Sequence, residues 1–535
     1  MDEIQKLALE TINLNKQAII FTSSRLSAEK SAQDISKLTT AHYPELEQAS
    51  LKALSTPTTQ CRKLSHCLNK GIAFHHAGLA QKQKDLIEEE FKKGTIKIIC
   101  ATPTLAAGLS LPAYRVIIKS LKRFTGHGMD WIPVLEYLQM AGRAGRPEYE
   151  KEGQSIIISK DEFQKEEIYN KYICGVPEDI YSKLAVEPVL RTYLLSLISS
   201  GIIKNEQTMQ EFFSKTFWAQ QFGDMERLKQ IMQKMLSLLE EWEFIKIDNN
   251  NNNNNDSSDK NNKSNNNGSD RNDKNNYNND FIVASNLNSN PKEKKLLPTI
   301  IGKRISELYL DPLTAKHFLD CFNNYNSDKN FFSILQMITH TLELRPLLRV
   351  KVKEEEHIQE LLVKNYNLLL KEEPSAFDME YHEFINSIKT TLFFEAWINE
   401  KDEDFLLDNY DIRPGEIKAK LETADWLLYA VSELSKIVNN KEINSESNKL
   451  RIRIKHGVKE ELLNLIKLKG IGRIRARKMF LQGIKDVRDL KKIDLTSLTQ
   501  IIGKNIAEDI KKQVGEEIKE VLKGTRKGQL SMEKF

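Results

Sequence analysis

The 535-residue sequence contains no G-x-x-x-x-G-K-[ST] phosphate loop and no strand-borne Asp-Glu metal motif behind one, which excludes a self-contained P-loop nucleotide hydrolase. Cysteine is scarce. The five thiols, Cys61, Cys67, Cys100, Cys174 and Cys321, show neither disulfide nor zinc-ribbon spacing, and this fits a reducing cytoplasm. Cys61, His66, Cys67, His75 and His76 cluster in sequence, but Cys-x5-Cys is not a usual ligand spacing and no metal centre is assigned. No apolar run reaches membrane-spanning length and no signal-peptide architecture opens the chain, so a soluble, cytoplasmic protein is expected. An excess of one charge is also missing. With 79 basic and 75 acidic residues the formal charge is +4, and any polyanion footprint must be local.

What is present begins with Gln139-Met140-Ala141-Gly142-Arg143-Ala144-Gly145-Arg146-Pro147. On a helix Gln139, Arg143 and Arg146 fall at i, i+4 and i+7, projecting from one face among small residues. Two permanently charged guanidiniums so placed suit a triphosphate brought from outside, where they stabilise charge developing on a γ-phosphate. The alternative is a solvated Arg-Gly-rich turn. Apolar runs Gln17 to Phe21, Ile96 to Ala101, Val116 to Ile118 and Gln154 to Ile158 alternate with helical patterns, one starting at Ser27. That predicts a mostly parallel α/β sheet, with function in the loops beyond the carboxyl ends of its strands.

Four ordered segments carry a resemblance. Ala18 to Arg25 resembles helicase motif IV, Phe74 to Leu79 motif IVa, Ala101 to Ala113 motif V with its extension, and Gln139 to Pro147 motif VI. Together they resemble the second RecA-like domain of a Ski-type superfamily 2 helicase. Glu187 to Arg191, Gly302 to Tyr309, Glu422 to Leu427 and Gly470 to Arg477 narrow this to the archaeal HELQ-type repair helicases, which unwind branched DNA 3′ to 5′. The resemblance implies catalytic roles for Gln139, Arg143 and Arg146, ATP contact by Gly108, Arg143 and Arg146, and DNA contact by Ser23, Arg25, His76, Thr102 and Thr104. It also implies ATP and Mg2+ as cofactors, the Mg2+ ligands coming mainly from a first RecA-like lobe. Met1 opens almost directly onto motif IV, so that lobe is expected from a separate polypeptide, or else the chain lacks motor activity.

The expected architecture is multidomain: a RecA-like parallel-sheet domain over 1–164, a winged helix over 165–310, a helical ratchet domain over 311–455, a helix-hairpin-helix domain over 456–523 and a flexible tail over 524–535. Glu187 to Ser199, Met209 to Gln221 and Met225 to Phe244 read as amphipathic helices of the winged helix, with extended pieces near Ile245 and Leu296. Its wing is interrupted over 248–280 by an Asn/Asp/Ser/Lys tract too polar to bury a core, read as a disordered insertion.

Lys119 to Pro133 carries Gly126 and Gly128 between two short arms, with Phe124, Met129 and Trp131 as wedges. By resemblance this is the strand-separating hairpin, and the alternative is an ordinary β-turn with a packed Trp. On the last helix of the ratchet domain Ile417, Leu421, Ala424, Leu428 and Val431 form one stripe, and Trp426 lies opposite, beside Ala419, Thr423 and Ala430. A Trp among small neighbours is placed to stack on an unpaired base, or to pack on a neighbouring domain. The family pattern has a basic residue two turns earlier; this sequence has Ala419 there, flanked by Lys418 and Lys420.

The turn Leu468 to Gly472 opens backbone N–H groups to a phosphate through Gly470 and Gly472, and Arg473, Arg475, Arg477 and Lys478 follow as DNA-backbone contacts or as a merely solvated basic helix. The tail places Gln529, Met532 and Phe535 like a sliding-clamp-binding peptide, against the alternative of a frayed end. Expected partners are single-stranded and forked DNA, the chain bearing the first lobe and a sliding clamp, with no membrane. Two functions remain open: the C-terminal half of an ATP-dependent DNA helicase, or a non-enzymatic single-strand and junction DNA-binding adaptor.

Overall fold

The computed structural model describes residues 1–54, 56–108, 111, 113–125, 128–145, 152–248 and 294–515. Arg146, Pro147, the Asn-rich tract beyond Asp248 and the tail residues Gln529, Met532 and Phe535 lie outside them.

Strands β1 (Ala18–Phe21), β2 (Ile72–His75), β3 (Ile98–Ala101), β4 (Arg115–Ile118) and β7 (Gln154–Ile157) form one sheet in the order β2-β3-β1-β4-β7, with parallel pairing throughout. Ile19, Ile20, Ile98, Ile99, Val116 and Ile117 are buried because helices cover both faces, which is why these strands read as continuous apolar runs rather than alternating ones. The helix following β1 begins at Arg25, two residues before Ser27, because the Ser24 hydroxyl caps it by accepting from Ser27 N at 3.2 Å. Strand β2, which the four apolar runs omitted, is a four-residue segment ending in a histidine.

Between β4 and β7 a separate antiparallel pair, β5 (Lys122–Thr125) and β6 (Gly128–Trp131), stands out from the sheet. The helix Val134–Ala141 follows it. It stops at Ala141 with Gly142 as its C-cap, so Arg143 lies in a turn and does not continue the helical face of Gln139. Gly145 explains the chain path beyond: its φ is +69°, and a Cβ there would meet Gly153 Cα at 2.9 Å.

The chain divides into two compact units. One comprises Met1–Ile180, Asn324–Ser432 and the residues from Lys441 on; the other comprises Tyr181–Asn323 with Glu433–Asn440. In the second, helices Glu187–Ser199 and Met225–Glu241 pack with the antiparallel strands β8 (Ile245–Asp248) and β9 (Lys295–Pro298). The single helix expected over Met209 to Gln221 is two, Glu206–Ser214 and Phe217–Phe222, because the Thr216 hydroxyl starts a new helix by accepting from Ala219 N. Gly302 presses against the Phe244 carbonyl, where a Cβ would sit at 1.9 Å. Arg191 and Asp311 form a buried two-point ion pair at 2.6 and 2.8 Å.

In the first unit the helices from Phe331–Thr339 to Tyr381–Ile398 pack around Phe332, Phe384 and Ile388, and the 24-residue helix Pro414–Ile437 follows. Of its expected stripe, Ile417, Ala424, Leu428 and Val431 are buried and Leu421 is half-buried, while Leu427 and Leu434 complete the core face.

His75 is buried at the end of β2, with neither ring nitrogen hydrogen-bonded and Glu88 at 3.6 Å, too far for a bond. Burial, then the nearby Lys84 charge, lowers its pKa to about 4. An unfolded histidine protonates near 6.5, so the unfolded state binds more protons between those values and stability falls on acidification. Lowering the pH from 7 to 5 is expected to cost the native protein about 2 kcal/mol more unfolding free energy than it costs His75→Phe, measured by urea denaturation. Identical pH dependence in the two proteins would contradict the assignment.

Candidate functional site

The loops at the carboxyl ends of β1, β3 and β4 converge, as the topology of a parallel sheet requires. Ser23, Thr104, Lys122, Arg123, Glu136 and Gln139 are among the residues around a cleft of about 490 Å³ there. Thr102 and Thr104 share a hydroxyl hydrogen bond of 2.9 Å, and Thr104 opens the short helix Thr104–Gly108. The Arg143 guanidinium donates to the Ala106 carbonyl of that helix. Backbone bonds Ala113 N to Arg143 O (3.1 Å) and Gly145 N to Ala113 O (3.0 Å) tie the two motifs together. The half-buried Arg143 is therefore held against motif V with Gly108 on the same helix, while Gln139 stands at the cleft.

His76 is buried away from any DNA contact, and Arg25 is drawn into an ion pair within the chain. His76 is fully buried, and its Nδ1 accepts from Gly78 N at 3.2 Å, which leaves the proton on Nε2, 3.3 Å from Glu29 Oε1. Gln60 Nε2 donates to the same Glu29 oxygen at 3.2 Å, and Lys63 and Arg413 lie at 3.7 and 3.8 Å from its carboxylate. Burial alone would raise the Glu29 pKa, but the His76 hydrogen bond and the charges around it outweigh burial and hold the carboxyl below its ordinary range. Arg25 pairs with Glu416, and Glu416 also accepts from Arg413 N at 3.2 Å. Gly415 N donates to Gly78 O at 3.1 Å, and a Cβ on Gly415 would meet Ala77 O at 2.2 Å. Motifs IV and IVa thus clasp the first turn of helix Pro414–Ile437. Glu29, Arg413, Gly415 and Glu416 were missed by the sequence reading, since partners almost 400 residues apart leave no local pattern.

The β5–β6 pair sets Phe124 directly opposite Met129, both largely exposed. Trp131 is a base anchor rather than a third wedge: it packs on the sheet core, its Nε1 donates to Glu167 at 3.0 Å, and Lys122 Nζ lies 4.1 Å from its ring centroid. Arg123 braces the hairpin by a two-point pair with Glu136 at 3.0 and 2.9 Å.

Trp426 is half-buried on helix Pro414–Ile437; of its small neighbours Ala419 is exposed, Thr423 half-buried and Ala430 buried. Lys420 turns inward to donate to Pro346 O at 2.7 Å, and burial lowers its pKa, so it is not presented as a phosphate ligand.

The hairpin Leu468–Gly472 has Gly470 at φ +88° and Gly472 as N-cap of helix Arg473–Leu481. Two of its four predicted cations turn inward. Arg473 stacks on Trp397 at 4.9 Å and donates to Lys401 O at 3.1 Å, and Arg477 binds Glu400 (2.8 Å from Nε) and Glu461 (2.7 Å). Hydrogen bonds to Glu400 hold the Arg477 pKa above its usual value. Both arginines fasten the module to the end of helix Tyr381–Ile398, because carboxylates at that turn satisfy them. Arg475 and Lys478 remain exposed beside Gly472, on a cleft of about 550 Å³ that also takes in Ile502 and Gly503. Gly503, at φ +89°, joins helices Leu495–Ile502 and Lys504–Gln513, making a second hairpin. Its Ile502-Gly503-Lys504 echoes Ile471-Gly472-Arg473, a signal the sequence reading passed over.

Among the described residues no group of three or more His, Cys, Asp or Glu could hold a metal ion, and no helix is long and apolar enough to cross a membrane.

Arg475→Ala and Lys478→Ala are each expected to weaken single-strand binding and to lower the slope of log affinity against log salt by about 0.7, whereas Arg477→Ala costs about 2 kcal/mol of stability. Fluorescence anisotropy titrations at several salt concentrations, with thermal unfolding alongside, check this. An unchanged salt slope in the first two variants would remove that face from the DNA path.

Three family models match: the helicase conserved C-terminal domain over residues 1–148, a helix-turn-helix domain over 153–246, and archaeal helicase domain 4 over 332–457. The ATP-dependent DNA helicase Hel308 of Pyrococcus horikoshii is 34% identical over 537 residues, covering 98% of this chain and 68% of that protein. Hel308 of Methanococcus vannielii is 34% identical over 540 residues (96% and 68%), and that of Methanocella arvoryzae 32% over 530 (97% and 65%). With its parallel-sheet lobe, its helix-turn-helix region and its helical domain all matched in order, the chain belongs to the Hel308-type archaeal superfamily 2 helicases.

Proposed function

We propose that this chain is the motor-completing and DNA-gripping portion of an ATP-dependent 3′–5′ DNA helicase that acts on branched or forked DNA in repair and replication restart. The observation that carries the reading is Arg143, held by the Ala106 carbonyl at the carboxyl edge of a parallel sheet, where its charge meets a nucleotide delivered from outside this lobe. No phosphate loop occurs in the sequence, so the complementary first RecA-like lobe is supplied from outside these residues. ATP supplies the bond that is hydrolysed, and the residues here that suit it are Arg143 and Gly108, with Gln139 beside them and Arg146 by sequence. The Mg2+ ligands belong to the first lobe.

The DNA side follows from the same geometry. Phe124 and Met129 at the hairpin end form an apolar wedge for the duplex junction, and Ser23, Thr102 and Thr104 offer hydroxyls to the backbone. Trp426 stacks on a base of the translocating strand, and Gly470, Gly472, Arg475 and Lys478 grip its phosphates. The tail Gln529, Met532 and Phe535 is the proposed clamp-binding peptide. The other reading, a DNA-binding adaptor without motor activity, is favoured by nothing specific in the geometry.

In an assembly reconstituted with a first-lobe polypeptide, Arg143→Ala is expected to reduce DNA-stimulated ATP hydrolysis at least a hundredfold and to leave single-strand affinity within about twofold. Unaltered turnover would remove the arginine-finger role. Phe124→Ala combined with Met129→Ala should abolish unwinding of a forked duplex with ATP hydrolysis on single strands retained; equal loss of both would assign the hairpin a structural role.

A further inference from the structure

The antiparallel pair β5 and β6 takes no part in the hydrogen-bond ladder of the parallel sheet, so the ladder does not set the angle at which the pair stands. A two-stranded ribbon on its own is marginally stable in water. Arms of four residues that carry the exposed Phe124 and Met129 therefore need support at their base. The support comes from one segment beyond β7: the helix Glu162–Ile168, the π-helical turn Tyr169–Ile173 and the residues up to Glu178.

That segment takes hold of the chain at Trp131, Ile132 and Val134, where β6 ends. Trp131 Nε1 donates to Glu167 at 3.0 Å. The Ile132 carbonyl accepts from the buried Tyr172 hydroxyl at 2.6 Å. Glu178 then accepts from Val134 N at 2.7 Å, at the start of a helix with no side-chain cap of its own. Ring contacts run alongside these bonds: the Trp131 and Tyr172 centroids are 5.8 Å apart, and Lys122 Nζ and Lys171 Nζ lie 4.1 and 5.5 Å from the Trp131 ring. Lys122 is the residue directly opposite Trp131 in the ribbon, so both arms are tied at one level. A π-helical turn is rare and concentrates at functional sites, and this one carries Tyr172.

We infer that Trp131 and Tyr172 are positioning residues for strand separation: they hold the ribbon at the angle from which Phe124 and Met129 meet the duplex junction. The inference rests on the wedge role proposed above. Unstacking a base pair loads the end of the ribbon, and a wedge opens the pair only if its base does not yield. The load passes to the helix and π-helical turn through the Glu167 and Tyr172 bonds. Under the same proposal the single strand is gripped elsewhere, so loosening this brace lowers junction opening without changing how tightly DNA is held. The Tyr172 hydroxyl is the more separable contact, because its ring stays packed edge-on against Tyr137 at 5.4 Å when the oxygen is removed.

The test uses the full chain and a forked duplex with 2-aminopurine in the first base pair of the junction. Fluorescence at saturating protein reads opening per bound complex, anisotropy reads fork affinity, and thermal unfolding reads stability. The variants are Tyr172→Phe, Trp131→Leu and the wedge pair Phe124→Ala with Met129→Ala. The expected result is a fluorescence rise with the native chain that the wedge pair abolishes and that Tyr172→Phe and Trp131→Leu each reduce about fivefold, as loss of one hydrogen bond's worth of bias implies, with fork affinity within about twofold of native. Should Trp131→Leu fail to fold, Tyr172→Phe decides alone. A rise per bound complex unchanged in the brace variants, with lower thermal stability only, would reduce Trp131 and Tyr172 to packing and leave the wedge standing. Fork affinity that falls in step with the rise would make them part of the grip and refute the positioning role. No rise with the native chain, or the same rise with the wedge pair, would overturn the wedge reading itself and the inference with it.

Discussion

The buried carboxylate of Glu29 is the constraint on which the first unit's arrangement depends. A carboxylate taken out of water needs donors and compensating charge, and here the donors are His76 and Gln60 of the RecA-like lobe, while Arg413 of the helical domain and Lys63 lie within 4 Å as cations. The surrounding geometry fits that need. Gly415 has no side chain because the motif IVa carbonyls lie where its Cβ would be, and Gly78 lies close against Arg413. Arg25 and Glu416 add a second pair beside the first. The start of the helix that bears Trp426 is thus fastened to the loops that follow β1 and β2, which couples the position of that helix to the RecA-like lobe.

The same logic recurs at the other end of the helical domain. Arg473 and Arg477 look like a basic patch in sequence, but Trp397, Lys401 O, Glu400 and Glu461 take up both guanidiniums. The fork geometry of arginine favours such multi-point pairing with carboxylates. What stays exposed is smaller and more defined: Arg475, Lys478 and the two glycine turns around one cleft.

The parallel sheet was legible in the sequence because strands buried on both faces must be apolar throughout, and all four predicted runs end within one residue of the ends of β1, β3, β4 and β7. The hairpin was legible from glycines spaced for a turn, and the turn of the C-terminal module from Gly470. Helical periodicity failed at motif VI, where Gly142 ends the helix and Arg143 leaves the face of Gln139. It failed again near Thr216, a capping residue that divides one amphipathic pattern into two helices. The roles of Arg25, His76, Arg473 and Arg477 were not legible, because a charged residue's partner is set by tertiary contact, and Glu416 lies 391 residues from Arg25. Residue type announces that a charge matters without saying whether it faces a ligand or another part of the chain.

Amide hydrogen exchange at Gly415, whose N–H donates to Gly78 O, reports directly on whether the clasp between lobe and helix is held by Glu29 and Arg413. The account predicts that Glu29→Gln and Arg413→Met each speed this exchange at least tenfold and that the double variant exchanges no faster than the faster single one, the mark of coupled partners. Exchange as slow as in the native chain in both single variants, or rate effects that simply multiply in the double, would contradict it.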